Sequence, residues 1–205
     1  MIRLEVDGAL WTAVIDRPDK ANSVTAQMLA DLRDIARRAP SDGAAVLVLT
    51  GTGKVFSAGA DLEAARAGLA TSDLWEELST AIAAFPGLTI AALNGTIAGG
   101  AMGMALACDL RLGVPGMKVF YPVMRLGYLP QPSDPARLAA LVGPARAKMI
   151  LMGGQKIEAE EALAWGLLDR LVPPETLIEA AHSLAADVLA AKSGHAAAIK
   201  RMIPG

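Results

Sequence analysis

The order of apolar and polar positions along the chain already separates strands from helices. Arg3 to Val6 and Leu10 to Ile15 alternate in character and carry β-branched residues on either side of Asp7-Gly8, which predicts an opening hairpin. Asp16-Arg17-Pro18-Asp19 ends its second strand. From Thr25 onward Met28, Leu29, Leu32 and Ile35 recur at three- and four-residue spacing, the stripe of an amphipathic helix capped by Thr25 and running to Arg38. Ala45 to Thr50 is a short continuous apolar run between Gly43 and Gly51, the pattern of a strand covered on both faces. The cycle then repeats, with Leu74 to Phe85 predicted as helix and Thr89 to Leu93 as buried strand. Strand and helix in alternation predict an α/β fold.

Beyond Asp109 the pattern predicts strands over Leu110 to Val114 and Lys118 to Tyr121, then a proline-rich connection, YLPQPSDPARL, from Tyr128 to Leu138. Helices are expected at about Asp134 to Leu141, Ala145 to Met152, Ala159 to Trp165, Pro174 to Ala191 and Gly194 to Met202, with a short strand over Leu168 to Val172. No linker, charge block or low-complexity stretch divides the chain. The expectation is one domain over residues 1–205, an α/β core to about residue 140 and a helical part from about residue 141.

Composition narrows the function classes. With 19 basic and 21 acidic residues the net charge is −2, and no basic run exceeds pairs such as Arg37-Arg38, so nucleic acid is not an expected partner. Cys108 is the only cysteine and cannot pair within the chain, which is compatible with a reducing cytoplasm, the expected location. The opening residues MIRLEVDG lack the apolar run of a signal peptide. No charged residue falls between Glu77 and Asp109, a stretch long enough to span a bilayer. Phe85-Pro86-Gly87, Asn94-Gly95 and Gly99-Gly100 would break such a helix where lipid offers the backbone no partner. A buried core is the better reading, with no membrane partner.

Two glycine-containing turns follow the buried strands: TGTGKVFSAGADL, Thr50 to Leu62, and NGTIAGGAMGMAL, Asn94 to Leu106. Glycine there serves tight turning and close packing, or it lets backbone amides approach a ligand. Amides converging from two such turns can hold a carbonyl oxygen that gains negative charge. Neither turn has Walker spacing or the G-x-G-x-x-G arrangement, which disfavours a nucleotide site.

The two turns together with LGYLP and RLAALVGPARAKMILMGGQKIEAEEALAWGLLDRLVP, in that order and spacing, resemble the crotonase family, the enoyl-CoA hydratase/isomerase superfamily. The resemblance covers nearly the whole chain. It implies a spiral of repeated ββα units with a helical C-terminal part, assembled as a homotrimer or dimer of trimers, and an acyl-CoA thioester as ligand with no cofactor beyond the coenzyme A of the substrate. It implies further that the amides of Ala60 and Gly100 form the oxyanion hole, and that Ser57, Ala58 and Asp61 lie on the loop that binds substrate.

Hydration also needs a general acid and base, two glutamates in typical hydratases of this family. Aligned without gaps, those positions are Gly103 and Val123, neither of which moves a proton. Some members use an acid on the following loop, and Asp134 is the candidate here, three residues past the aligned Gln131; its place ahead of a helix also suits an N-cap. Tyr121 and Tyr128 could donate into a pocket but read first as packing residues; His182 and His195 stand apart from the motifs, Asp61 reads as a helix cap and Asp109 as a structural acceptor. No cluster has metal-ligand spacing. Family members usually continue beyond the AIKR segment with helices that cover the site, so for the shortened helical part three expectations stand: a lid taken from a neighbour, no lid, or a lid that has been removed. The sequence leaves open an enolate-forming isomerase or lyase, a thioester-binding subunit without catalysis, and a scaffold of the same fold.

Overall fold

The structure, a computed structural model, describes residues 1–203. Its larger sheet is six-stranded. The predicted hairpin is β1 (Ile2–Asp7) and β2 (Leu10–Ile15), antiparallel with Ile2 opposite Ile15 and Asp7 opposite Leu10. β1 is the edge and is largely exposed, whereas every residue of β2 is buried. β3 (Val46–Gly51), β5 (Leu88–Leu93), β7 (Leu110–Gly113) and β10 (Arg170–Leu171) continue the sheet in parallel. Helix α9 (Leu177–Ala190) packs on β3, β5 and β7, which is why Val46-Leu47-Val48-Leu49 reads as an unbroken apolar run.

A second sheet holds β4 (Val55–Ser57), β6 (Thr96–Ala98), β8 (Lys118–Phe120) and β9 (Ile157–Glu158). The first three run parallel and β9 closes against β8 antiparallel. β8 falls on the strand expected over Lys118 to Tyr121, whereas β4, β6 and β9, of two or three residues each, are absent from the sequence reading. Each spiral unit therefore places a long strand in the large sheet, turns, places a short strand in the small sheet and enters a helix: β3-β4-α2 (Leu62–Arg66), β5-β6-α4 (Met102–Ala107), β7-β8-α5 (Val123–Leu126). This is the repeated ββα spiral. Because β4, β6 and β8 are parallel neighbours, the residues that follow each of them emerge at one end of the small sheet.

The helices follow the periodicity closely. α1 spans Ala26–Arg38 with Thr25 as N-cap, its side chain accepting from Met28 N at 3.3 Å. α3 (Leu74–Ala83), α8 (Ala159–Ala164) and α10 (His195–Met202) fall within the expected segments, α6 (Asp134–Val142) ends just after its expected segment and α7 (Pro144–Leu151) begins just before its own, while Pro174–Thr176 forms a separate 3-10 turn before α9. The charge-free stretch is the end of α3, then β5, β6 and α4; among the described residues no helix is long and apolar enough to cross a membrane. Two close approaches fix the spiral's turns: a Cβ on Gly87 or Gly95 would lie 1.9 Å from the carbonyl oxygen of Ala45 or Lys54. Lys200 ties α10 to the core, donating to Asp109 Oδ2 at 2.7 Å and to the carbonyls of Phe85 and Gly87. Asp109 also accepts from the amide and hydroxyl of Thr89, the structural role expected of it.

Candidate functional site

The turn after β4 is held from outside by a strained pair, Ala21 and Asn22, whose φ values are 48° and 52°. In that conformation the Asn22 side chain donates to the carbonyls of Thr52 and Val55 at 2.9 and 2.7 Å. Ser57, fully buried, donates to Asn22 O at 2.8 Å and accepts from Gly59 N at 3.2 Å. Ala58 N donates to Ala21 O, Val24 N to Gly59 O and Asp61 N to Val24 O. Every amide flanking Ala60 in this turn is thus paired, while the Ala60 amide donates to no backbone oxygen among the described residues. Asp61 caps α2, accepting from Glu63 N and Ala64 N, and pairs with Arg17 at 2.8 Å, which holds its carboxyl below the usual carboxylate value.

The turn after β6 faces this one. Gly59 has φ +90°, and a Cβ there would lie 2.9 Å from Ala98 O and 3.5 Å from Gly99 Cα, so the two turns approach to the limit that only glycine allows. Gly100 lies against the indole of Trp75, where a Cβ would meet ring carbons at 3.0 Å; that ring is fixed by its Nε1 donating to Leu69 O at 2.8 Å. The Gly100 amide likewise donates to no backbone oxygen outside its own turn of helix.

A cavity of about 580 Å³ opens at this end of the small sheet. Ala58, Ala60, Gly99 and Gly100 line it from the two turns, and Trp75, Leu62, Leu126 and Leu129 give it an apolar wall. Of the residues expected on the binding loop, Ala58, Ala60 and Gly100 face the cavity. Ser57 and Asp61 do not line it, and their side chains are spent on holding the loop. Val123 lines the cavity as a plain apolar surface, and Tyr121, Tyr128 and Gln131 bring polar groups to the lining, as do Arg66 and Thr96.

Asp134 corrects one expectation and enlarges another. The N-cap of α6 is Ser133, whose hydroxyl and amide both donate to Glu76, and Asp134 is the first helical residue. Its side chain turns away from the helix end and is completely buried. Oδ2 accepts from the Tyr121 hydroxyl at 2.9 Å; Oδ1 has no partner among the described residues. It occupies the space beside Gly103, where a Cβ would lie 2.9 Å from Oδ1 and 3.2 Å from Oδ2. The carboxylate therefore sits where a side chain on residue 103 would begin. Burial raises its pKa to about 6, against the opposing hydrogen bond from Tyr121 and the charge of Arg137. Burial, with the Asp134 charge behind it, also raises the Tyr121 phenol far above its ordinary value, so it stays protonated.

The other reactive types stay apart from this site. The Cys108 thiol is sealed in the core and pushed up to about 12 by burial, which leaves it unreactive. His182 lies on α9 and His195 opens α10, both away from the cavity lining. Sequence reasoning missed Ala21-Asn22, which clamp the first turn, and the contact between Tyr121 and Asp134. The only available signal was a glycine at 103 matched by a new acid at 134.

Comparison with known proteins matches the enoyl-CoA hydratase/isomerase family model over residues 5–204. The Mycobacterium tuberculosis protein named "Probable enoyl-CoA hydratase echA6" is 33% identical over 171 residues, covering 83% of this chain and 70% of its own length. The crotonyl-CoA hydratase of Syntrophomonas wolfei is 32% identical over 195 residues, 92% of this chain and 75% of that protein. Among solved structures, Pseudomonas aeruginosa DspI superposes with a TM-score of 0.89 at 33% identity, over 98% of this chain and 84% of that one.

Proposed function

The chain belongs to the enoyl-CoA hydratase/isomerase family, and on that premise we propose that its cavity receives the thioester end of an acyl-CoA and stabilises the enolate form of the acyl group. The observation that supports this reading is that Ala60 and Gly100 line one cavity from adjoining turns, and that among the described residues neither amide donates to a backbone oxygen outside its own turn. When an α-proton leaves a thioester, or a nucleophile adds at the β-carbon, charge accumulates on the carbonyl oxygen. Fixed amides meet that charge without reorganising, each contributing roughly 3 kcal/mol to the transition state. The apolar wall from Trp75 to Leu129 suits an acyl chain.

The reaction class that fits is isomerisation, hydration or another enolate-passing step. Neither Gly103 nor Val123 can serve as the acid or base, so hydration through two carboxylates at those positions is not available to this chain. The reading includes self-association into trimers or dimers of trimers, which light scattering would report as a mass near three or six times 21.1 kDa. Calorimetry with butyryl-, octanoyl- and dodecanoyl-CoA, followed by turnover of the matching enoyl thioesters, tests the function. Saturable binding of one of them with turnover is the expected result. Binding with no turnover of any enoyl, dienoyl or hydroxyacyl thioester would assign a carrier role instead, a reading favoured by the loss of both usual acids. Absence of binding at millimolar concentration would overturn both.

A further inference from the structure

The fold brings one titratable pair to the cavity that the thioester reading leaves unused. Tyr121 directly follows β8, beside β6 and therefore next to the turn carrying Gly100, and it lines the cavity. Its hydroxyl donates to Asp134 Oδ2 at 2.9 Å and accepts weakly from Gln131 N at 3.4 Å. Asp134 itself does not reach the cavity, since it is sealed behind Tyr121 in the space that Gly103 leaves free.

A buried aspartate kept for structure is normally ion-paired or hydrogen-bonded at both oxygens. This one is neither. Among the described residues Oδ1 is unpartnered and Asp134 takes part in no ion pair: the guanidinium of Arg137, on its own helix, donates to Ser79 Oγ at 3.0 Å. The nearest charge from α3 is Glu76, of the same sign, and α4 contributes Gly103 and no charged residue at all. Ionised Asp134 is thus a base under strain, relieved by taking a proton, and the only route from it to the cavity on these contacts is the Tyr121 hydroxyl.

We propose that Tyr121 is the side chain that exchanges a proton with the bound acyl group, and that Asp134 is the buried base to which it relays. The proposal rests on the thioester reading. In the forward step the α C–H bond breaks and its electron pair forms the enolate C=C, with the charge on the carbonyl oxygen at the Ala60 and Gly100 amides. The proton passes to Tyr121 Oη as the phenolic proton passes to Asp134 Oδ2. Return of that proton through the same hydroxyl, to the α-carbon or, in an unsaturated chain, to the γ-carbon, restores both residues. Asp134 is a positioning and proton-holding residue in this scheme; Tyr121 is the one that touches substrate. The carboxylate has in effect changed segments: it reaches the place beside residue 103 from α6 instead of from α4.

The test is α-deuterium incorporation into butyryl- and octanoyl-CoA by the full-length protein in heavy water, read by mass spectrometry alongside calorimetric affinity. Tyr121→Phe is expected to lower exchange by about 100-fold or more while leaving thioester affinity within about threefold. The wild-type exchange rate is expected to rise as pH passes about 6, and Asp134→Asn is expected to lower exchange comparably to Tyr121→Phe and to remove that rise. Circular dichroism verifies that both variants fold. The exchanged pair Gly103→Glu with Asp134→Gly is expected to restore exchange that no longer depends on Tyr121, an effect that lost packing alone would not produce. Wild-type exchange persisting in Tyr121→Phe would overturn the relay. So would tight thioester binding by wild type with no exchange, which leaves the binding function standing. Absence of binding would remove the relay and the thioester reading together.

Discussion

The two walls of the cavity are made of different material. On one side the turns at Ala58–Ala60 and Gly99–Gly100 present backbone, positioned by glycine, by the Ala21-Asn22 clamp and by parallel pairing of β4 with β6. Elsewhere Tyr121 lines the cavity with one phenol, and behind it, outside the lining, Gly103 leaves a gap beside the Asp134 carboxylate, so that the side-chain wall and its backing are drawn from three separate segments. A backbone wall is tied to its own stretch of chain, because moving an amide means moving the turn that carries it. A side-chain wall has no such tie. Any residue that can reach the same point in space can supply the same group, provided the residue opposite makes room.

The largest expected effect comes from forcing the side-chain wall back to one segment. Gly103→Glu places a second carboxyl against buried Asp134, whose oxygens lie 2.9 and 3.2 Å from the new Cβ. Crowding and an uncompensated buried charge should cost about 3 to 5 kcal/mol by chemical denaturation. Adding Asp134→Gly should return most of that loss, a coupling read by the double-mutant cycle. If the two substitutions merely add, Asp134 and Gly103 do not compete for one site and the comparison of the walls fails.

The next effect depends on pH. Burial raises Asp134 from the ordinary 3.8 to about 6 in the folded chain. A group whose folded value is raised contributes stability that is present below the unfolded value and lost as pH climbs through the folded one. The difference corresponds to about 3 kcal/mol lost between about pH 4 and pH 7. Asp134→Asn removes this term, so the variant should gain on wild type by up to that amount across the window. Denaturation midpoints at the two ends measure it, and a constant offset between the proteins would show that Asp134 is not a strained carboxylate.

The backbone wall is expected to respond less in stability and more in binding. Gly59→Ala puts a Cβ 2.9 Å from Ala98 O at a φ of +90°, which should cost about 2 kcal/mol. Because the displaced turn carries the Ala60 amide, thioester affinity should fall about tenfold or more, the loss of roughly one amide's hold on the carbonyl. Calorimetry with octanoyl-CoA reads this directly. Unchanged affinity would detach the glycine from the oxyanion role.

The same division explains what could be read from the sequence. The hairpin, α1 and α3 were legible because each displays a period within its own residues, β3 and β5 because each is an apolar run bounded by turn residues, and the glycine turns because backbone function cannot leave its segment. The small sheet was legible only at β8, since the shortest strands, such as Ile157–Glu158, have no period to display. Asp134 was legible as an acid near the site and misread as a cap, because its environment is set by Gly103, thirty-one positions earlier, and by the hydroxyl of Tyr121. Ala21 and Asn22 carry positive φ without glycine, and nothing local announces it.

The smallest prediction separates stability from site geometry altogether. Thr25 caps α1 through one hydrogen bond, 3.3 Å from Met28 N, and α1 places no residue in the cavity lining. Thr25→Ala should therefore cost about 1 kcal/mol, the ordinary worth of a cap, in chemical denaturation. Val24, the preceding residue, holds the first turn through its own amide and carbonyl, so the substitution tests how far loosening at the start of α1 travels. Those two bonds are made by backbone within a parallel bridge to Ala60, and the cap does not contribute to them. Thioester affinity should stay within about twofold of wild type, well under the tenfold step that one amide is worth. A fall in affinity as large as that of Gly59→Ala would mean that the backbone wall is held by the helix and not by the turns. The contrast between an anchored backbone and a movable side chain would then have to be redrawn around α1.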